Sequence, residues 1–162
     1  MSAKSSKRIL FAGGAAVVLA FVGFGLFGGG TSQASEAITV YKTPTCGCCH
    51  KWIEHLEANG FEVEVNDLDD LTGIKNVHQI PVGVRTCHTA LVGGYAVEGH
   101  VPAEYVKRLL AEKPDIVGIG VPGMPAGSPG MEGAYRESYD VLAFNNKGRT
   151  AVWGHVEGDP GR

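Results

Sequence analysis

The sequence predicts an α/β protein in which short strands alternate with helices between residues 35 and 113. Three features of its 162 residues lead to this prediction. Runs rich in β-branched residues alternate with segments whose apolar residues recur at helical spacing. Glycine and proline stand where such elements are expected to end. The pair Gly93-Gly94 separates two short apolar runs, as in a β-hairpin.

The first four elements are predicted from the residues before position 80. Ala37–Tyr41 is the first strand, and Phe61–Val65, which alternates apolar and acidic residues, is the second. The helix between them is predicted to end at Asn59-Gly60. Its apolar positions are Cys49, Trp52, Ile53 and Leu56. Residues 67–78 predict a short second helix. Its expected inward residues are Leu68, Leu71 and Ile74.

The remaining elements of this unit are a hairpin and a third helix. A loop leads into two short strands, Thr89–Val92 and Tyr95–Gly99, on either side of the glycine pair. The third helix has Pro102 in its first turn and is ended by Pro114. The predicted order over residues 35–113 is therefore β-α-β-α-β-β-α.

Residues 114–162 are predicted to form an extension packed on this core. Asp115–Gly133 contains six glycines, three prolines and both non-initiator methionines, and it is predicted as a loop. A terminal β-hairpin follows, with its turn at Asn145–Gly148.

Residues 1–34 have the layout of an export signal. Three basic residues precede an uncharged apolar run over residues 9–27, and small residues follow at positions suited to cleavage. Cleavage is the expected outcome. The alternative is an uncleaved anchor in the inner membrane, since the run is almost long enough to cross a bilayer. Both outcomes place the remaining residues outside the cytoplasm, and only the anchor would attach them to a membrane.

The charge balance argues against nucleic acid as a partner. Residues 1–34 hold three basic and no acidic residues, so the other 128 residues carry 11 basic and 17 acidic residues, a net charge of −6. Proteins that bind nucleic acid usually present a strongly basic surface. We therefore expect no nucleic-acid binding.

The four cysteines admit three interpretations. Cys46, Cys48 and Cys49 lie in the segment TCGCCH, and Cys87 lies in RTCHT. In an exported protein, four cysteines commonly form two disulfides that stabilise a small binding module. Alternatively, Cys46 and Cys49 form a C-x-x-C pair at a helix N-terminus, which favours thiolate and suits a thiol–disulfide oxidoreductase. The third interpretation is a metal site.

The predicted order of elements resembles the thioredoxin-like fold in its small, glutaredoxin-sized form. The entry Y-K-T-P-T-C-x-x-C and the glycine hairpin carry the resemblance, which covers about half of the chain. In that fold a cis-proline before the third strand packs against the C-x-x-C pair, and here Cys87 takes its place, with Pro81 six residues earlier. The resemblance therefore implies that all four thiols converge.

Converging thiols favour copper over zinc. Structural zinc sites usually pair two C-x₂₋₄-C units, whereas this chain has C-x-C-C and a single distant cysteine. Adjacent Cys48 and Cys49 cannot easily face one small ion, but they suit thiolates that bridge several. Soft Cu(I) favours such sites. The metal prediction is therefore Cu(I) bound by Cys46, Cys48, Cys49 and Cys87, with zinc as the less favoured ion.

Further candidate ligands, or residues next to the ligands, are three histidines and two methionines. His50 follows the cysteine cluster, His88 follows Cys87, and His100 ends the hairpin. Met124 and Met131 carry thioethers that suit Cu(I), although apolar packing is the favoured explanation for both.

The full pattern resembles the CopG-type copper-resistance proteins, a family long described as a domain of unknown function. The segments that carry the resemblance are YKTPTCGCCHKWIEHLEANGFEV, RTCHTALVGGYAVEGHVP and GIGVPGMPAGSPGME. The resemblance implies a periplasmic protein that binds copper through the four cysteines. It also implies a role in copper tolerance beside other copper-handling proteins of the periplasm. Storage, transfer and interconversion of Cu(I) and Cu(II) all stay open.

Overall fold

The computed structural model describes residues 37–160, which form a mixed α/β unit around one sheet of seven strands. The strands are β1 Ala37–Lys42, β2 Glu62–Asp67, β3 His88–Val92, β4 Tyr95–Glu98, β5 Gly118–Gly120, β6 Tyr139–Phe144 and β7 Thr150–Val156. The helices are α1 Gly47–Ala58, α2 Thr72–Val77 and α3 Ala103–Glu112, with a 3₁₀ turn at Val82–Val84. The predicted α/β class and the order of the first seven elements are confirmed.

The sheet has the strand order β2-β1-β3-β4-β5-β6-β7. Strand β1 pairs in parallel with β2 and antiparallel with β3, and β3 forms the predicted hairpin with β4. Strand β5 then pairs in parallel with β4, and the predicted terminal hairpin, β6 and β7, continues from β5. The C-terminal extension therefore lengthens the sheet of the core.

Two apolar clusters cover the two faces of the sheet. Val97 belongs to the larger cluster, which includes α1 and α3 residues such as Trp52 and Val106. Its neighbour Ala96 belongs to the smaller cluster, with Phe144 from β6. Because consecutive strand residues point to opposite faces, the two clusters lie on opposite sides of the sheet. Trp52 is fully buried, as predicted, and its Nε1 donates to the carbonyl of Val101 at 2.8 Å.

The interpretation of Asp115–Gly133 as a loop throughout was wrong for residues 118–120. These residues form β5, a short strand whose sequence, Gly-Ile-Gly, has no alternating apolar pattern. Close packing explains the glycine at its start. A Cβ on Gly118 would lie only 2.0 Å from the carbonyl oxygen of Ala96. Pairing with β4, which is distant in sequence, therefore determines this strand.

The inward face of α2 also differs from the prediction. Leu71 is buried, but Leu68 is exposed and Ile74 is only half-buried. The buried residue within the helix is Lys75. A lysine replaces the expected apolar residues because it has a buried acidic partner on the sheet.

The predicted export or anchor segment, residues 1–34, lies outside the described residues. Within residues 37–160, the structure contains no helix with the length and apolar character needed to cross a membrane.

We predict that Gly118→Ala weakens the attachment of β5 and the terminal hairpin. The added methyl group would clash with the β4 backbone, and overpacking of this kind costs about 1–3 kcal/mol. Urea unfolding measures the loss. Gly133→Ala is the control, because a Cβ at position 133 meets no described atom within 4 Å. Equal stability of the two variants would contradict this packing.

Candidate metal centre

The antiparallel pairing of β1 with β3 brings the two cysteine segments together. Lys42, the last residue of β1, lies opposite His88, the first residue of β3. The chain leaves β1 through a turn in which the Cys46 amide donates to the carbonyl of Thr43 at 3.1 Å. Cys46 then caps α1, and Cys87 directly precedes β3. Both segments therefore meet at one end of the sheet.

The four cysteine sulfurs form one cluster. All four Sγ atoms lie within 4.8 Å of one another, and the Sγ atoms of Cys46 and Cys48 are 3.6 Å apart. Cys49 is buried, and the other three are half-buried. The convergence that the sequence predicted is present, although Cys87 lies 38 residues from Cys49 along the chain.

Two of these cysteines form a disulfide. Cys46 is bonded to Cys49, while Cys48 and Cys87 are free thiols. The four cysteines therefore form one disulfide, whereas the interpretation as a stabilised binding module requires two. The structure represents the oxidised, two-thiol form of the cluster.

Two histidine rings lie next to the sulfur of Cys87. His88 Nδ1 is 3.4 Å from the Cys87 sulfur, and His100 Nε2 is 3.5 Å from it. The other ring nitrogen of His100 lies 2.7 Å from the carbonyl oxygen of Pro129. Because a carbonyl can only accept, Nδ1 of His100 carries the proton and the Nε2 lone pair faces the sulfur. These three residues form a second group with ligand atoms within 4.8 Å.

His88 is held neutral inside the protein. Its ring is fully buried and packs against Trp52, with 4.4 Å between the ring centroids. Its Nε2 has no hydrogen-bond partner within residues 37–160. Burial lowers the pKa of His88 to about 3, and the nearby His100 and Lys75 contribute to this shift. Because the ring is neutral, its Nδ1, which lies beside the Cys87 sulfur, is a potential metal ligand.

The thiol of Cys87 stays protonated in this form of the site. Burial, together with the neighbouring Cys48, raises the pKa of Cys87 to about 12. A metal ion at the cluster would reverse this preference because a coordinated thiol loses its proton.

The glycine-proline loop closes over the start of α1. The amide of Gly130 donates to the Glu132 carboxylate at 2.7 Å, and Gly130 itself adopts a φ of +88°. A Cβ at this position would lie 2.6 Å from the carbonyl oxygen of Cys48. Glycine is therefore needed both for the backbone conformation and for the close contact with the cysteine segment.

Comparison with known proteins identifies the family of this chain. A family described as a protein of unknown function, DUF411, matches residues 84–131. Two solved structures, forms 1 and 2 of a copper resistance protein CopG, are similar to the chain. Each is 43% identical, has a TM-score of 0.71, and is aligned over 75% of this chain and 98% of its own. The chain belongs to the CopG family. A search of curated proteins gave no match.

The part of the chain matched by the DUF411 family contains one half of the site. It includes Cys87, His88, His100 and the loop up to Met131. The likeness to the CopG structures covers most of the chain that the structure describes.

The remaining predicted residues of this CopG-family chain are His50 and the two methionines. His50 is exposed, and its Nε2 lies 3.4 Å from the Glu54 carboxylate, so the structure does not place it in either ligand group. Met131 is half-buried in the loop, and Met124 is 53% exposed.

Sequence reasoning missed three polar residues near the site. Lys75 and Glu98 form a buried ion pair. His55 is half-buried, and its Nε2 accepts a hydrogen bond from the amide of Ala103 at the start of α3. The sequence periodicity could have indicated the ion pair. Lys75 follows the buried Leu71 by one helical turn, and Glu98 lies on the same face of its strand as the buried Ala96, so both charged residues occupy inward positions.

We predict that the metal-free oxidised protein loses stability as the pH falls below 6.5. The unfolded chain binds a proton at His88 near pH 6.5, whereas the folded protein does so only near pH 3. The difference corresponds to about 2 kcal/mol at pH 5. The lowered pKa values of His55 and His100 act in the same direction.

Urea unfolding at pH 7, 6 and 5 measures this dependence. His88→Phe preserves an aromatic ring against Trp52 without a titrating group, so its stability should vary less over the same range. The same pH dependence in this variant would contradict the assignment to His88.

Proposed function

We propose that this protein binds copper in the periplasm and contributes to copper resistance, holding Cu(I) through Cys46, Cys48, Cys49 and Cys87. The observation that carries the proposal is the convergence of four sulfurs within 4.8 Å from two separate segments of chain. Membership of the CopG family supports copper as the ion, since the solved relatives are copper resistance proteins.

The donor set favours Cu(I) over zinc. Thiolates are soft ligands that suit Cu(I), and adjacent Cys48 and Cys49 suit sulfurs that bridge several ions. Copper is cargo in this proposal, and the cluster binds more than one ion. Zinc is the expected competitor, because four thiolates also suit one tetrahedral ion.

Reduction of the Cys46–Cys49 disulfide is the first requirement for this site. Two electrons and two protons convert the disulfide into two thiols, and copper binding then displaces the thiol protons. A cellular dithiol is a suitable reductant. The oxidised protein offers only two of its four cysteines, Cys48 and Cys87, as thiol ligands, so it should bind Cu(I) far more weakly than the reduced protein.

The histidines beside Cys87 suit a second oxidation state of copper. His100 presents its Nε2 lone pair to the cluster, and Nδ1 of His88 lies 3.4 Å from the same Cys87 sulfur. Cu(II) accepts imidazole ligands readily. We therefore include interconversion of Cu(I) and Cu(II) in the proposed role. Each Cu(I) that is oxidised passes one electron to a redox-active periplasmic partner, the reverse change takes one electron from it, and other periplasmic copper-handling proteins donate or accept the ion.

The second candidate function is that of a thiol–disulfide oxidoreductase. The Cys46–Cys49 disulfide at the N-terminus of α1 favours it, since this is where a helix stabilises a leaving thiolate. The arrangement of β1–β4 and α1 also supports a thioredoxin-like fold, which we propose for residues 37–113.

A titration of the reduced protein with Cu(I) in the presence of a competing chelator tests the copper proposal. We expect two or more tightly bound Cu(I) ions per chain, weaker binding of zinc, and a large loss of Cu(I) binding in the oxidised protein. One tightly bound zinc ion with only loosely bound copper would contradict it.

Substitutions within the cluster should show that Cys87 belongs to the same site. We predict that Cys87→Ser lowers the Cu(I) stoichiometry about as much as Cys48→Ser, because both sulfurs lie in one group. The double variant Met124→Leu/Met131→Leu should keep a nearly normal stoichiometry and serves as the control. Normal binding by Cys87→Ser would remove Cys87 from the site.

The oxidoreductase function is tested without metal. Its expected result is turnover of a disulfide substrate by the metal-free protein and loss of turnover in Cys46→Ser. Absence of turnover, or a requirement for copper, would exclude this candidate.

A further inference from the structure

A buried ion pair lies beneath the Cys87 segment and has no part in the proposed copper ligation. Lys75 of α2 and Glu98 at the end of β4 bring their charged groups together with side-chain exposures of 7% and 0%. Thr89 of β3, also fully buried, accepts a hydrogen bond from the lysine at 2.9 Å and donates one to Glu98 Oε2 at 2.7 Å. Every charge in this group is therefore paired.

The Glu98 carboxylate holds the chain on both sides of Cys87. The amide of Thr86, the residue just before Cys87, donates to Glu98 Oε1 at 2.6 Å. The hydroxyl of Thr89, two residues after Cys87, donates to Oε2. One carboxylate thus fixes residues 86–89 against β4, and Lys75 fixes the carboxylate. We call Lys75, Thr86, Thr89 and Glu98 the Glu98 network.

Close packing beneath the segment strengthens this arrangement. Gly99 follows Glu98, and a Cβ on it would lie 2.7 Å from the hydroxyl of Thr86. On the next strand, a Cβ on Gly120 would lie 3.1 Å from the Cβ of Glu98. Thr86 therefore packs directly against the backbone of a glycine, and a side chain at that position would push the segment away.

Stability alone does not explain a buried ion pair of this kind. Removing two charges from water is costly, and apolar residues of similar volume often replace such pairs without loss of stability. The contacts that a buried ion pair makes with neighbouring parts of the chain are therefore a better explanation for its presence. Here the atoms that it contacts belong to the segment that carries Cys87.

We propose that the Glu98 network is a positioning device that holds Cys87 at the cysteine cluster, with Lys75 and Glu98 acting through the backbone of residues 86–89. The network keeps the half-buried Cys87 sulfur within reach of the other three cysteines and next to the rings of His88 and His100. Without it, residues 86–89 would lose the bonds of Thr86 and Thr89 to Glu98, and Cys87 would be released toward solvent.

The first test measures the position of Cys87 without copper. The oxidised, metal-free full chain is treated with iodoacetamide, and peptide mapping gives separate alkylation rates for Cys48 and Cys87. The main variant is Lys75→Met/Glu98→Met, which replaces both charges with unbranched apolar side chains. Thermal unfolding shows that each variant is folded. Leu109→Ala, buried in α3 outside the network, is the destabilised control.

We expect Cys87 in the double variant to react about tenfold faster or more, because the released thiol, half-buried in the wild-type protein, becomes accessible to the reagent. The rate at Cys48 should change by less than about twofold, and Leu109→Ala should change neither rate selectively. An unchanged Cys87 rate in the folded double variant, or equal acceleration at both cysteines, would overturn the proposal.

A milder pair of variants decides the question if the double variant does not fold. Thr89→Val removes the hydroxyl that joins Lys75 to Glu98, whereas Thr89→Ser keeps it. Faster alkylation of Cys87 in the valine variant, restored to the wild-type rate in the serine variant, supports the proposal. Equal rates in the two variants overturn it.

The second test rests on the proposed copper function and measures Cu(I) affinity in a double-mutant cycle. The Lys75→Met/Glu98→Met change should weaken Cu(I) binding by about tenfold in the reduced protein and have little effect in a Cys87→Ser background. Equal losses in both backgrounds would mean that the network does not act through Cys87. If the wild-type protein binds no copper, the function is refuted, and the alkylation result still decides the positioning role.

Discussion

The antiparallel pairing of β1 with β3 is the interaction on which the candidate site depends. It places the end of one strand beside the start of the other, so that the cap of α1 and the segment before β3 share one end of the sheet. Three cysteines arrive from the first segment and one from the second. Without this pairing, Cys87 would be an isolated thiol, and the C-x-C-C segment would have no fourth sulfur.

The site combines several groups that are costly to bury. Among residues 37–160, His88 is neutral and lacks a partner at one ring nitrogen, Cys87 keeps its proton, and Lys75 and Glu98 carry opposite charges in the interior. Burying polar and charged groups opposes folding, so their concentration at one place indicates a functional demand. The loop around Gly130 completes the site through its contacts with Cys48 and, at Pro129, with His100.

Local patterns in the sequence were sufficient for the helix that begins at the cysteines, for both hairpins and for the buried Trp52. Predicting the position of Cys87 required a prediction of the fold, because no local sequence pattern relates Cys87 to Cys46. Two features depended on contacts between distant residues and were missed. Strand β5 is defined by its pairing with β4, and Lys75 is buried only because Glu98, on another element, neutralises it. The spacing of Cys46 and Cys49 suits a disulfide and a metal site alike, so the sequence could not decide their redox state.

X-ray absorption spectroscopy at the copper edge tests the central claim most directly. The sample is the reduced full chain loaded with Cu(I), compared with Cys87→Ser loaded in the same way. Four converging thiolates predict a first shell dominated by sulfur, with copper neighbours where ions are bridged, and a shell that loses sulfur in the variant. A wild-type shell of nitrogen and oxygen alone, or one unchanged by Cys87→Ser, would contradict the account.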